Sequence, residues 1–398
     1  MYRTCISALA LAAFGGSAAL ADIVVWHSYP GAEKDALEQV AANFNAQSDD
    51  KVELQAVPHD AYADKLTAAV PRRQGPDAFI FAQDRIGGWV ATGGLLEPLT
   101  FFVDPEELDA FDPALVGAMT FEDEIYAFPL NFKMPALYYN TALVETPPAT
   151  TGELRQMASD LKGSDSFGFA HAYDIAYYHS ALLNGFGGGV FDADGAPVLD
   201  SDSNAQSIDW IRGFAREDGL MPQEPTSAVL GALFNQGKLA MLIDGPWFEG
   251  SIDPSIDFAV AALPVIEESG QAMKPWMTVE GLFLSAQRPA THDASMEFAR
   301  FLTSPEQAYV MASVGGQLPS NRSVFEREDI ANDPIKSGFF AQLSSAEPMP
   351  NRLEMSLVWG PLDTALKSAL KTAGSTGDAL NAAQADVVEG IANLKQAR

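Results

Sequence analysis

The chain has 398 residues, with 53 acidic against 24 basic side chains and a formal net charge of −29. Such a surface repels phosphate backbones and anionic lipids, which excludes nucleic acid as a partner. The single cysteine, Cys5, lies in an N-terminal stretch that reads as a leader, so the rest of the chain carries no disulfide framework, cysteine metal site or thiol nucleophile.

In that leader Arg3 supplies the positive start, Ile6 to Phe14 the apolar run, and Ala19-Leu20-Ala21 the small-x-small pattern of signal cleavage. Cleavage is expected after Ala21, with export to a bacterial periplasm. The length that follows suits about two domains. A buried strand is predicted over Asp22–Trp26, then a helix over 32–45 whose Leu37, Val40, Ala41 and Phe44 share one face. A strand over Lys51–Val57, a helix over 60–73 and a strand over Ala78–Phe81 follow, and this alternation predicts a parallel α/β sheet. Further helices are predicted near 151–162, 175–185, 204–218, 291–303, 305–314, 361–373 and 377–396, with a strand over Lys238–Ile243 ending at Asp244-Gly245-Pro246-Trp247.

Catalytic signatures are scarce. There is no Gly-x-Ser-x-Gly elbow. His27, His59, His171, His179 and His292 lack zinc-motif spacing. Gly185-Phe-Gly-Gly-Gly189 follows a helical pattern, where a dinucleotide loop would follow a strand. Acidic residues are abundant enough that a carboxylate pair of a secreted glycoside hydrolase stays open as an alternative. No cofactor and no metal is expected.

A series of short motifs runs in order along the chain: Val24-Val25-Trp26, Gly75-Pro76-Asp77, Asp84-Arg85-Ile-Gly-Gly88, Tyr126-Ala-Phe-Pro129 with Tyr139-Asn140, Phe234-Asn-Gln-Gly-Lys-Leu-Ala-Met241 with Gly245-Pro246-Trp247, Lys274-Pro275, Met349-Pro350-Asn351, and Met355-Ser356 with Trp359. On these residues the chain resembles the maltose/maltodextrin-binding proteins of bacterial ABC importers. The resemblance implies a two-lobed α/β periplasmic-binding-protein fold, each lobe a mostly parallel sheet flanked by helices. It places the N-lobe at 22–131 plus 282–328 and the C-lobe at 136–277 plus 335–398, with hinge crossings near Asn131–Pro135, Met277–Gly281 and Arg327–Pro334.

Sugars present hydroxyls, which need planar polar partners, and apolar C–H faces, which lie on aromatic rings. Asp84 and Arg85 directly follow the third strand, where open α/β sheets hold ligands. The resemblance gives that pair a role at sugar hydroxyls. It also gives Trp247, Trp359 and Tyr177 the role of stacking platforms and places Phe81 where the family usually has tryptophan. Met349 is expected on the C-lobe wall.

The departures are local. The family's first-loop Asp-Lys pair is replaced by His27-Ser28-Tyr29-Pro30-Gly31, which makes Tyr29 a candidate contact. A family glutamate is matched by Lys133, the glutamate before the tyrosine contact falls near Ile175, and the arginine after the second tryptophan falls at Asp363. Glu280 is a further candidate. The expected role is capture of a sugar or oligosaccharide without catalysis and delivery, as a monomer, to ABC permease subunits in the inner membrane. Lys133 and Arg85 keep open an acidic sugar or phosphorylated glycerol, and the acidic surface a polyamine.

Overall fold

The structure is a computed structural model that describes residues 22–371 and 375–396; the expected leader and Cys5 lie outside the described residues. The strand Asp22–His27 pairs in parallel with Lys51–Ala56, Asp22 opposite Lys51, and with Ala78–Ala82 on its other side. The helices Gly31–Gln47 and His59–Ala69 make the two crossovers. Ala36, Leu37, Val40, Ala41 and Phe44 form the buried stripe of the first, close to the face read from periodicity.

Two further long strands complete this sheet. Trp276–Ser285 runs antiparallel to Ala78–Ala82 and to Ala127–Lys133, and Leu318–Pro319 adds to the far edge. Trp276–Ser285 is one unbroken strand through the expected crossing at Met277–Gly281. The Gly75-Pro76-Asp77 motif anchors the sheet. Asp77 accepts from the Val24 amide at 2.8 Å and from the Thr291 hydroxyl at 2.9 Å.

A second sheet has the order Phe258–Ala261, Ala136–Asn140, Leu239–Asp244, Phe167–Ala170. Its strand Leu239–Asp244 is buried at every position, as expected for a strand covered on both faces. The chain enters this sheet between Lys133 and Ala136 and leaves it before Trp276. It returns when helix Lys336–Leu343 packs on Phe258–Ala261, and helices Trp359–Lys371 and Thr376–Gln396 then cover the helix Asp202–Arg212. The molecule is thus a two-lobed α/β fold with each lobe built from separated chain segments, but neither sheet is mostly parallel as expected: antiparallel pairings outnumber parallel ones in both, because Trp276–Ser285 and Ala136–Asn140 run against most of their neighbours.

Helix and strand meet most closely at Gly338, where a β-carbon would overlap the Val260 carbonyl. The neighbour is backbone and cannot swing away. Gly338→Ala should therefore destabilise the fold by about 2–3 kcal/mol, read as a lower urea midpoint. An unchanged midpoint would show that this contact relaxes freely.

Candidate functional site

Two cavities lie where residues of the first sheet's lobe face residues of the second. The first, about 370 Å³, has Glu33, Phe132, Lys133 and Gln317 on the first-sheet side and Pro246, Trp247 and Glu249 on the other. The second, about 330 Å³, has Asp84, Arg85 and Trp89 facing Arg352, Leu353, Met355 and Trp359. Each therefore joins an indole platform to charged side chains, the combination that a concave sugar site requires.

Asp84 and Arg85 stand on the short turn Gln83–Arg85 at the carboxyl end of Ala78–Ala82. Their charged groups lie 3.4 Å apart, and Arg85 is the more exposed. Burial raises the Asp84 pKa, with Arg85 pulling against it. The turn is held by Gln83, which sequence reasoning missed. Its buried amide donates to the carbonyl of Met277 at 3.1 Å and accepts from the Val279 amide at 2.8 Å. Phe81 is half-buried, with ring centroids 5.2 Å from Tyr62 and 5.0 Å from Trp89.

Trp247 lies on the turn Pro246–Ser251, directly after Leu239–Asp244. It is 47% exposed, an unusual state for an indole, and its ring is 6.1 Å from that of Tyr177. Behind it, Tyr178 donates to Asp244 at 3.0 Å, and Asp244 also accepts from the Gly245 amide at 2.8 Å. Burial raises the Asp244 carboxyl, against the hydrogen bonds from Gly245, Tyr178 and Trp247. Tyr177 opens the helix Ala176–Gly185, where burial raises its hydroxyl well above the usual phenol range. The first amide of that helix donates to Asp363 at 2.7 Å, so the position where the resembled family has arginine serves here as a cap.

Trp359 begins the helix Trp359–Lys371 and meets Trp276 edge to face, with ring centroids 5.4 Å apart. Trp276 is buried and was also missed; its amide donates to the Ser180 hydroxyl at 2.9 Å. Met349 lies mostly inside the core. Its amide donates to Met277 at 2.9 Å and its carbonyl accepts from Gln83 at 3.4 Å, tying this segment to the first sheet. Tyr29 is 5% exposed and lines neither cavity; its hydroxyl accepts from Asn131 at 2.8 Å. Lys133 lies between Glu33 at 3.2 Å and Glu280 at 3.3 Å. Among the described residues no group of three His, Cys, Asp or Glu side chains is placed to hold a metal ion.

The chain is 31% identical over 360 residues to a maltotriose-binding protein of Pyrococcus abyssi, covering 88% of this chain and 77% of the relative. It is 26% identical to a galactooligosaccharide-binding protein of Bacillus subtilis, covering 87% and 84% of the two chains. A cyclo/maltodextrin-binding protein complexed with maltotetraose superposes with a TM-score of 0.85 at 29% identity, over 93% of this chain and 97% of that one. Residues 30–309 match the family of bacterial extracellular solute-binding proteins, and the chain belongs to that family.

Proposed function

We propose that this protein captures a sugar or short oligosaccharide between its two lobes and delivers it to the permease subunits of an ABC importer. The observation that carries the reading is the pairing of an accessible indole with charged side chains on opposed walls, at both Trp247 and Trp359. The names of the relatives support it, since maltotriose- and galactooligosaccharide-binding proteins share most of their length with this chain. On this reading the ligand spans the two cavities. Asp84 and Arg85 take hydroxyls, and Trp247, Tyr177 and Trp359 take C–H faces. Phe81 stands behind Asp84, while Tyr29 and Met349 support the walls from within.

The lobes, taken as 22–131 plus 282–328 and 136–277 plus 335–398, close on a ligand that contacts both, because only the closed state makes both sets of contacts. The protein works in the periplasm as a monomer after cleavage behind Ala21, and releases its ligand unaltered.

The test is calorimetric titration of protein refolded free of carried-over ligand. The panel is maltose, maltotriose, trehalose, sucrose, cellobiose, a β-linked galacto-oligosaccharide and a polyamine. Saturable binding of one carbohydrate class at about one ligand per chain is expected. A polyamine response with no carbohydrate response would discard the ligand class, and sugar turnover would discard the non-catalytic role.

A further inference from the structure

The cavity beside Trp247 has a charge arrangement that a general sugar site does not require. Lys133 is the one cation among its lining residues. Read from sequence, that lysine invites an anionic ligand. Its surroundings point the other way. The ammonium is shared between Glu33 at 3.2 Å and Glu280 at 3.3 Å, and it lies 5.8 Å above the Tyr29 ring. None of the three charged side chains is more than 25% exposed. Burial works against the Lys133 charge, but Glu280 and Glu33 outweigh it and hold the ammonium above the ordinary lysine range.

Glu33 is also fixed from behind. Gln317 donates to its carboxylate at 3.2 Å, while the Gln317 carbonyl oxygen accepts at 3.2 Å from Asn131, which also donates to Tyr29. Lys133 therefore lies in a prearranged network and is not free to turn toward a ligand. A third carboxylate, Glu249, enters from the opposite wall. Lys336 attracts Glu249, but its ammonium is bound to Asp333 at 3.0 Å. One cation thus faces Glu33, Glu280 and Glu249, and the local field is negative.

We infer that this end of the cleft admits a neutral or amino-bearing sugar unit and excludes an anionic one, with Lys133 positioning Glu33 and Glu280 instead of receiving a ligand carboxylate or phosphate. The identity of the occupant rests on the sugar-binding reading above; the sign of the charge does not. An anion would have to draw Lys133 from two carboxylates while approaching a third. An amino group would meet Glu33 and Glu249 with the Trp247 face alongside.

Trp247 itself reports the charge, without any sugar present. Its fluorescence is isolated as the difference between the native protein and W247F. Relative to their quenching of N-acetyltryptophanamide at the same ionic strength, caesium should gain on iodide several-fold at this component. In E33Q/E280Q the ratio should move toward iodide by about threefold or more, and in the single variant E249Q in the same direction. A caesium-to-iodide ratio in the native protein equal to that of the free indole, or a ratio that the carboxylate substitutions leave unchanged, overturns the inference.

A second arm titrates one disaccharide in neutral, amino-terminated and uronate-terminated forms. The first two should bind within about tenfold of each other, and the uronate at least about 100-fold more weakly. In E33Q/E280Q that gap should narrow about tenfold. Uronate binding as tight as neutral binding overturns the inference. If no form binds while caesium keeps its gain over the free indole, the sugar-binding reading fails and the charge assignment stands.

Discussion

Trp247→Ala should weaken oligosaccharide binding by about 30-fold while lowering the thermal transition by only roughly a few degrees and keeping it cooperative. The side chain is 47% exposed, so about half of its surface lies outside the folded core, and its loss costs the contact with Tyr177 and the hydrogen bond to Asp244. Its partners across the cavity, Lys133 and Glu33, belong to the first sheet's lobe, so an alanine opens the wall without unseating a strand. A sugar face laid on the indole removes apolar area from water worth about 2 kcal/mol, and each 1.4 kcal/mol is about tenfold in affinity. Titration and calorimetric melting of the same preparation separate the two effects. Retained affinity with an intact fold would remove Trp247 from the site. Trp359→Ala is a less clean test, because that indole also supports the buried ring of Trp276.

Acidification should destabilise the fold well above the pH at which exposed carboxylates titrate, through two buried histidines in the lobe of the second sheet. His171 follows the strand Phe167–Ala170, and His179 lies on the helix Ala176–Gly185. Among the described residues neither ring nitrogen of His171 meets a hydrogen-bond partner; His179 contacts Ser207 at 3.0 Å through Nε2 only. Burial drives the pKa of both down to about 3, with the nearby His179 adding to the effect at His171.

A folded-state value below the unfolded value of about 6.5 means that the unfolded chain binds more protons between the two. Stability from this source is therefore complete above about pH 6.5 and is lost as the pH falls toward 3. At pH 4.5 the loss should be roughly 2–3 kcal/mol for each imidazole. His171→Leu removes two buried nitrogens without partners, so stability at pH 7 should hold or rise. Its loss on going to pH 4.5 should be about half that of the native protein. Urea midpoints at the two pH values measure both quantities. Parallel pH profiles for the native protein and the variant would exclude His171 as a source of acid sensitivity.

Periodicity is a local property, and elements with a strong local pattern were legible in the sequence. The strand at Asp22–His27, the fully buried Leu239–Asp244 and helices such as Gly31–Gln47, Ala176–Gly185, His292–Leu302 and Thr376–Gln396 lie close to where the apolar spacing predicts them, whereas Ile86–Thr92, Pro113–Ala118 and Lys336–Leu343 were not predicted. The strands Ala127–Lys133, Ala136–Asn140 and Trp276–Ser285 were not recognised as strands. Their pairing is entirely with distant chain, Gly281 lying between Phe81 and Pro129, and such pairing leaves no short-range signature.

The site divides in the same way. The strand-end positions of Asp84-Arg85 and Gly245-Pro246-Trp247, each lining a cavity, were legible because each follows a strand in a recognisable motif. Through the order of its motifs, the sequence by itself therefore determined the two-lobed α/β class and the family. Only the tertiary structure decided that Gln83 holds the Asp84 turn, that Trp276 lies under Trp359, and that Asp363 caps the Tyr177 helix. It also gave Lys133 its partners Glu33 and Glu280, which lie far from it in the chain. The physical reason is that a side chain's electrostatic role depends on distances of a few ångströms, and separation along the sequence does not determine those distances.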